Sequence, residues 1–242
     1  MTDATFPRVA IEPLECFRES WRRIGGEYWL FLGITTVGLI LGAVGPLGVL
    51  LGPMKCGIYL CYRQKWRGEQ VRFETLFRGF DYFVESLIAT LIVMLVGLVV
   101  TLPCVFVGIG GTILLVALAA ASRQPAYMAL VVALGVVGYA LLILLASLIG
   151  SFFIFAFMLI VDRRLPAIEA VKRSATAVWH HLGGMLALSL LSAAFSLAGL
   201  CLCYVGAFFA APIVYGAIVA AYQRIFGIDG VADDVRVTQL AL

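Results

Sequence analysis

The sequence predicts an all-α polytopic membrane protein, and three observations carry that expectation. Apolar residues fill 63% of the 242 positions and charged ones only 13%, with a mean hydropathy of +1.06. A soluble domain of this size runs nearer half apolar and a quarter charged. Several apolar runs exceed the ~18 residues that mark a membrane-spanning helix. The ten-residue alternating segments of a membrane barrel are missing. The net charge of +3 implies no nucleic-acid partner; its distribution is what carries information.

Residues 1–11 hold no pattern. The first 27 positions include Asp3, Glu12, Glu15, Glu19 and Glu27 and no apolar signal core, so the first span is expected to double as the targeting element. Residues 13–26 read as an amphipathic helix with Leu14, Phe17, Trp21 and Ile24 on its apolar face, suited to the membrane interface. Span one follows at about 28–43 and Gly45-Pro46 turns the chain. Span two covers about 47–62, where Arg63 and Lys65 stop it. Each is about 16 residues or ~24 Å long, short for a bilayer, so local thinning is expected. A basic loop leads to a second interfacial helix at 72–82. Phe73, Leu76, Phe77 and Phe80 form its apolar face, and Glu74 is spaced to pair with Arg78.

Span three is expected over about 83–102, ending at Pro103. Beyond it, 104–121 and 127–161 are apolar, broken by the glycine-rich 108–111 and by 122–125. Two readings fit. Either an extra apolar hairpin at about 104–137 precedes a fourth span at 139–161, or the stretch makes three further crossings, eight spans in all. A third interfacial helix lies within 162–184. Pro166 suits a first helical position. Ile168, Val171, Ala175, Val178 and Leu182 line one face, with Glu169, Lys172, Arg173, Thr176 and His180 on the other. Span five (about 183–202), span six (about 205–222) and a solvated cytoplasmic tail (226–242) complete the chain.

The first and third interfacial helices match. PLECFRESWRRI at 13–24 lies on AIEAVKRSATAV at 167–178, pairing Leu14 with Ile168, Glu15 with Glu169, Phe17 with Val171, Arg18 with Lys172, Ser20 with Ser174 and Ile24 with Val178. Each precedes two apolar spans, the second carrying Pro-x-x-x-Gly: Pro53/Gly57 and Pro212/Gly216. This reads as an internal repeat. It favours six core transmembrane helices in three interfacial-helix-plus-hairpin units, at 13–63, 72–161 and 166–224. Every Lys and Arg except Lys55 and Arg123 then falls on one side. The positive-inside rule makes that side cytoplasmic, with both termini on it, in a bacterial inner membrane.

The R/K-x-x-S interfacial helices, FETLFRGF after the basic loop and LIVDRRLPAIEAVKRS before the last hairpin together resemble a broad group of bacterial multi-pass membrane proteins of uncharacterised function. That group includes the membrane domain attached to some glycerophosphodiester phosphodiesterases. The resemblance covers about residues 12–225, with 104–137 departing as an insertion. It implies an integral membrane fold and transfers no catalytic residue, because no phosphodiesterase domain is present.

Lys55 is the most informative single residue. Eight positions before Arg63, it lies about 12 Å below the interface at 1.5 Å per residue. An intramembrane charge is a functional-site hypothesis with a named partner, and Glu85 at the start of span three is that partner. The plainer reading has Lys55 snorkel to the headgroups. Pro53, Gly57, Pro212 and Gly216 occupy corresponding places in the two repeats. Paired breaks of this kind point to a transporter site, but the flanking small residues also permit close helix packing, which is favoured. Arg18, Arg22, Arg78, Lys172 and Arg173 are placed to contact lipid headgroups.

His180 and His181 are adjacent and cannot share a metal in the i,i+4 manner. Cys16, Cys56, Cys61, Cys104, Cys201 and Cys203 form no C-x-x-C, so no metal site is expected. Cys104, Cys201 and Cys203 fall near the far-side ends of spans, where a disulfide could persist. No catalytic triad, carboxylate pair or phosphate loop occurs, and no cofactor is implied. The expected role is a non-enzymatic membrane-organising or partner-binding subunit. Its partners are the bilayer, anionic lipids, and a protein partner or second copy. The rival is a transporter or channel using Lys55 and the proline-broken spans.

Overall fold

The computed structural model describes residues 12–44, 48–122, 125–201 and 205–227. Among these, every regular element is helical: α1 (Pro13–Ile24), α2 (Tyr28–Val44), α3 (Leu51–Trp66), α4 (Phe83–Ser122), α5 (Pro125–Phe152), α6 (Ala156–Arg163), α7 (Ala167–His180), α8 (Leu182–Cys201) and α9 (Val205–Phe226). A 3-10 helix, Phe73–Tyr82, precedes α4. Among the described residues, three stretches are long and apolar enough to cross a membrane: Pro13–Val44, Phe73–Ile113 and Gly206–Phe226. Helices α7 and α8, bent by 99° at their junction, make a fourth if taken as one span. The turn expected at Gly45-Pro46, Cys203 and the tail beyond Gly227 lie outside the described residues.

The chain divides into two compact units, Met1–Leu91 with Ser151–Leu242, and Ile92–Gly150. The first has a core of Ile24, Phe31, Ile58, Tyr62, Leu76, Phe155, Leu159 and Tyr222, all fully buried. The second holds much of α4 and most of α5. There the side chains of Leu98, Val99, Phe106, Ile113 and Val136 are exposed, as suits a surface facing hydrocarbon rather than water.

Four boundaries differ from expectation, each for a physical reason. Pro103 does not end its helix, which runs on through the glycines at 108–111 to Ser122. The separate hairpin at 104–137 therefore does not form as drawn: 104–122 belongs to α4 and 125–137 to α5. An internal proline loses one hydrogen bond, whereas ending a helix in apolar surroundings orphans several backbone groups at once. The span expected at 139–161 is broken at 153–155 into α5 and α6. The Ser174 hydroxyl makes that break tolerable: it donates to the Phe152 carbonyl at 2.8 Å and accepts from the Phe155 N–H at 3.2 Å.

The segment after the basic loop is a 3-10 helix, not an α-helix. Its period of three stacks i and i+3, so Leu76 and Gly79 are buried, while Phe77 and Phe80, expected on the apolar face, are 46% and 40% exposed. Arg78 accordingly approaches Asp81 at 3.9 Å, not Glu74. Helix α3 starts at Leu51 and reaches Trp66, past the expected stop at Arg63. It ends at Gly68 (φ +75°), with Gly68 N–H on the Lys65 carbonyl and Glu69 N–H on that of Gln64. This is a Schellman closure, which a residue without Cβ permits.

Backbones meet closely at two of the proline–glycine sites. A Cβ on Gly57 would lie 1.9 Å from the Leu76 carbonyl oxygen, and one on Gly79 would lie 2.1 Å from that of Pro53. Across α9, Ser20 donates to the Ile213 carbonyl at 2.9 Å, with its hydroxyl filling the space left by Gly216. Tyr62 donates to the Pro212 carbonyl at 2.7 Å, and Tyr28 to that of Phe209 at 2.6 Å.

Candidate functional site

The ends of α3, α6 and α9 converge on a polar cluster inside the first unit. Arg63 Nε lies 2.7 Å from Asp162 Oδ1, and the Tyr222 hydroxyl donates to Asp162 Oδ2 at 3.1 Å. Asp162 is 4% exposed and Arg63 22%. The Arg63 Nε–H is not aligned with the oxygen, so the attraction is coulombic more than directional. A void of about 10 Å³ beside the cluster is lined by Tyr59, Arg63, Met158, Val161, Asp162 and Tyr222, near the lower limit for a single water.

On the other side of Arg63 lies a larger cavity of about 180 Å³. Arg63, Gln64 and Arg67 reach it from the last turn and cap of α3, and Glu69 from the turn that follows. Thr75, Arg78, Asp81 and Tyr82 line it from the 3-10 helix, and Arg164 from the end of α6. Arg164 is held in the left-handed region (φ 49°, ψ 38°), a conformation that costs an L-residue about 1–2 kcal/mol. Gln64 Oε1 and Arg67 Nε are buried without a hydrogen-bond partner. With Arg63 paired to Asp162, the three other guanidinium groups against two carboxylates leave the cavity net positive, with fork-shaped donors suited to oxyanions.

The residues expected from sequence are dispersed. The Lys55 ammonium lies over the Phe157 ring, 5.1 Å from its centroid, a cation–π contact. Glu85 Oε2 accepts from the Ala167 N–H at 2.6 Å and so caps α7, whose first turn has N–H groups without helical partners. No Lys55–Glu85 ion pair forms; each is engaged elsewhere. Pro166 is the residue before that helix and not its first. Pro53, Gly57, Pro212 and Gly216 sit at the close backbone contacts described above. Arg18 pairs with Glu15 and Arg173 with Glu169, both along their own helices, while Arg22 and Lys172 are exposed. Cys104 is a free thiol. Among the described residues no group of three or more His, Cys, Asp or Glu is placed to hold a metal.

Sequence reasoning missed Asp162, Tyr222, Gln64, Arg67 and Arg164 as site residues, and used Arg63 only as a span terminus. One signal was present: Asp162 is a lone acid directly at the end of an apolar run, a placement that asks for a partner. The chain was compared with family models, characterised proteins and solved structures, and none of them matches it.

Proposed function

We propose that this is a non-enzymatic integral protein of a bacterial inner membrane that holds anionic lipid at its cytoplasmic face, and there organises the bilayer or seats a partner protein. One observation carries the reading: exposed cations and exposed large apolar side chains share the same short segments. Arg18 and Arg22 stand with Leu14 and Trp21 on α1, Lys172 and Arg173 with Ile168 and Trp179 on α7, and Arg78 with Phe77 and Phe80 on the 3-10 helix. Aromatic rings favour the headgroup level, and each cation near an anionic surface gains about 1 kcal/mol.

The architecture that goes with this reading is three units, each a charged interfacial segment followed by a helical hairpin. Three in-register pairs of small buried residues support it: Cys16 and Ser20, Thr75 and Gly79, Ala170 and Ser174. Each pair belongs to a segment that packs on the last helix of another unit, at Ile213, at Pro53 and Gly57, and at Phe152 respectively. Arg63, Asp162 and Tyr222 then occupy equivalent places and meet at the centre. The transporter alternative would route a polar pathway past Lys55, whose contact with Phe157 speaks instead for packing.

Native mass spectrometry of the protein released from nanodiscs of equal phosphatidylcholine and phosphatidylglycerol tests the proposal. Retained lipid should be enriched in phosphatidylglycerol. Enrichment should fall when Arg18, Arg22, Lys172 and Arg173 are all changed to Gln. Equal retention of the two lipids by the wild type overturns the reading.

A further inference from the structure

The arginine-lined cavity shares only Arg78 with the exposed cations just discussed, and we infer that it is a binding site for a phosphate-bearing anion. Its walls supply what such a group needs. Arg67 and Arg164 come from different elements and both line the space, and neither is in an ion pair among the described residues. A guanidinium fork meets two phosphate oxygens at once in a fixed planar geometry that a lysine ammonium lacks. Thr75 and Tyr82 add hydroxyl donors at the wall. The volume, about 180 Å³, is far above the ~10–15 Å³ that admits one water.

Two features set this cavity apart from an ordinary solvated groove. The Arg67 Nε–H and the Gln64 carbonyl oxygen are buried with no partner, a state that destabilises the fold unless a ligand or water satisfies it. Arg164 also carries backbone strain at the position that turns it into the cavity; strain of this kind collects at ligand clamps. The arrangement takes shape from these details. In this site Arg67 and Arg164 take the phosphate oxygens, and the Gln64 carbonyl oxygen accepts from a hydroxyl, the phosphate's own or that of an attached alcohol. Glu69 and Asp81 at the wall disfavour anions with several charged groups. The shared chemistry is a phosphate monoester or diester, and its source is a lipid headgroup or a soluble metabolite. The inference goes beyond the lipid-surface proposal and does not require it.

The experiment uses the full chain in a neutral detergent and in nanodiscs. Calorimetry with inorganic phosphate and with glycerol 3-phosphate covers the soluble source. Native mass spectrometry from phosphatidylcholine nanodiscs doped with phosphatidylglycerol or phosphatidic acid covers the lipid source. At least one probe should bind with unit stoichiometry and weaken by about tenfold or more in Arg67→Gln and in Arg164→Gln. Arg67→Lys should give an intermediate loss. Binding of the soluble probes alone assigns a metabolite, and unit retention of a doped lipid alone assigns a headgroup. Unchanged melting temperatures keep folding out of the comparison. The surface variant at Arg18, Arg22, Lys172 and Arg173 should leave this site intact, so loss of general lipid enrichment and loss of the cavity site are told apart. If no probe binds, or if binding is the same in both Gln variants, the inference is overturned.

Discussion

Asp162 meets Arg63 at 2.7 Å in a setting where the carboxylate is 4% exposed. The carboxylate has little solvent to relax it if the guanidinium were removed, while Arg63, 22% exposed and lining the larger cavity, keeps some. Breaking one side of a buried pair costs about 3–5 kcal/mol, while replacing both sides by apolar groups is often neutral. Asp162→Asn and Arg63→Met should each lower the melting temperature strongly in detergent. The double variant Arg63→Met with Asp162→Leu should recover most of that loss. Additive losses in the double variant would show that the two residues act independently.

The approach of Gly57 to the 3-10 helix gives a second prediction. Because a Cβ there would sit 1.9 Å from the Leu76 oxygen, Gly57→Ala must push two backbones apart. The cost is that of severe overpacking, about 3 kcal/mol or more. Gly97 has nothing within 4 Å of its missing Cβ, so Gly97→Ala should be neutral or stabilise by about 0.5–1 kcal/mol. Thermal melts of the two variants side by side check this, and equal effects would refute it.

Ser20 and Ser174 match in sequence yet should differ in weight. Ser174 satisfies both an N–H and a carbonyl at the break between α5 and α6, whereas Ser20 satisfies the Ile213 carbonyl alone. Ser174→Ala should therefore cost about 1–3 kcal/mol and Ser20→Ala about 0.5–1.5 kcal/mol. Hydrogen exchange at the Phe155 amide should accelerate in Ser174→Ala only.

Glu85 acts on a helix end. Glu85→Gln should cost about 1 kcal/mol through a weaker cap and speed exchange at the Ala167 amide. Lys55→Met, which removes a cation–π contact, should show a coupling to Glu85→Gln below about 0.5 kcal/mol in a double-mutant cycle. A coupling above about 1 kcal/mol would restore the paired intramembrane charges and, with them, the transporter reading.

Much of the helix inventory was legible from residues alone. Partition into a bilayer depends on local composition summed over roughly twenty residues, so α2, α8 and α9 could be placed to within a few positions. Helix ends were less legible. Pro103 and the glycines at 108–111 look like breaks in a list of residues, but backbone in apolar surroundings has no water to turn to and stays helical. The true break at 153–155 holds no Pro or Gly. It exists because Ser174, on another helix, can satisfy the freed groups.

The division between the two levels follows from the range of the forces. Sequence by itself determined the all-helical class, the apolar stretches long enough to cross a membrane, and the gathering of Lys and Arg in a few segments, because hydropathy and charge are carried by each residue wherever the chain goes. Only the tertiary structure decided that Glu85 serves the N-terminus of α7, that Lys55 rests on Phe157, that Asp162 is held by Arg63 and Tyr222, and that Arg67 and Arg164 share a cavity. Hydrogen bonds and ion pairs act over about 3–4 Å. Residues far apart in the chain come within that distance only once the helices have packed.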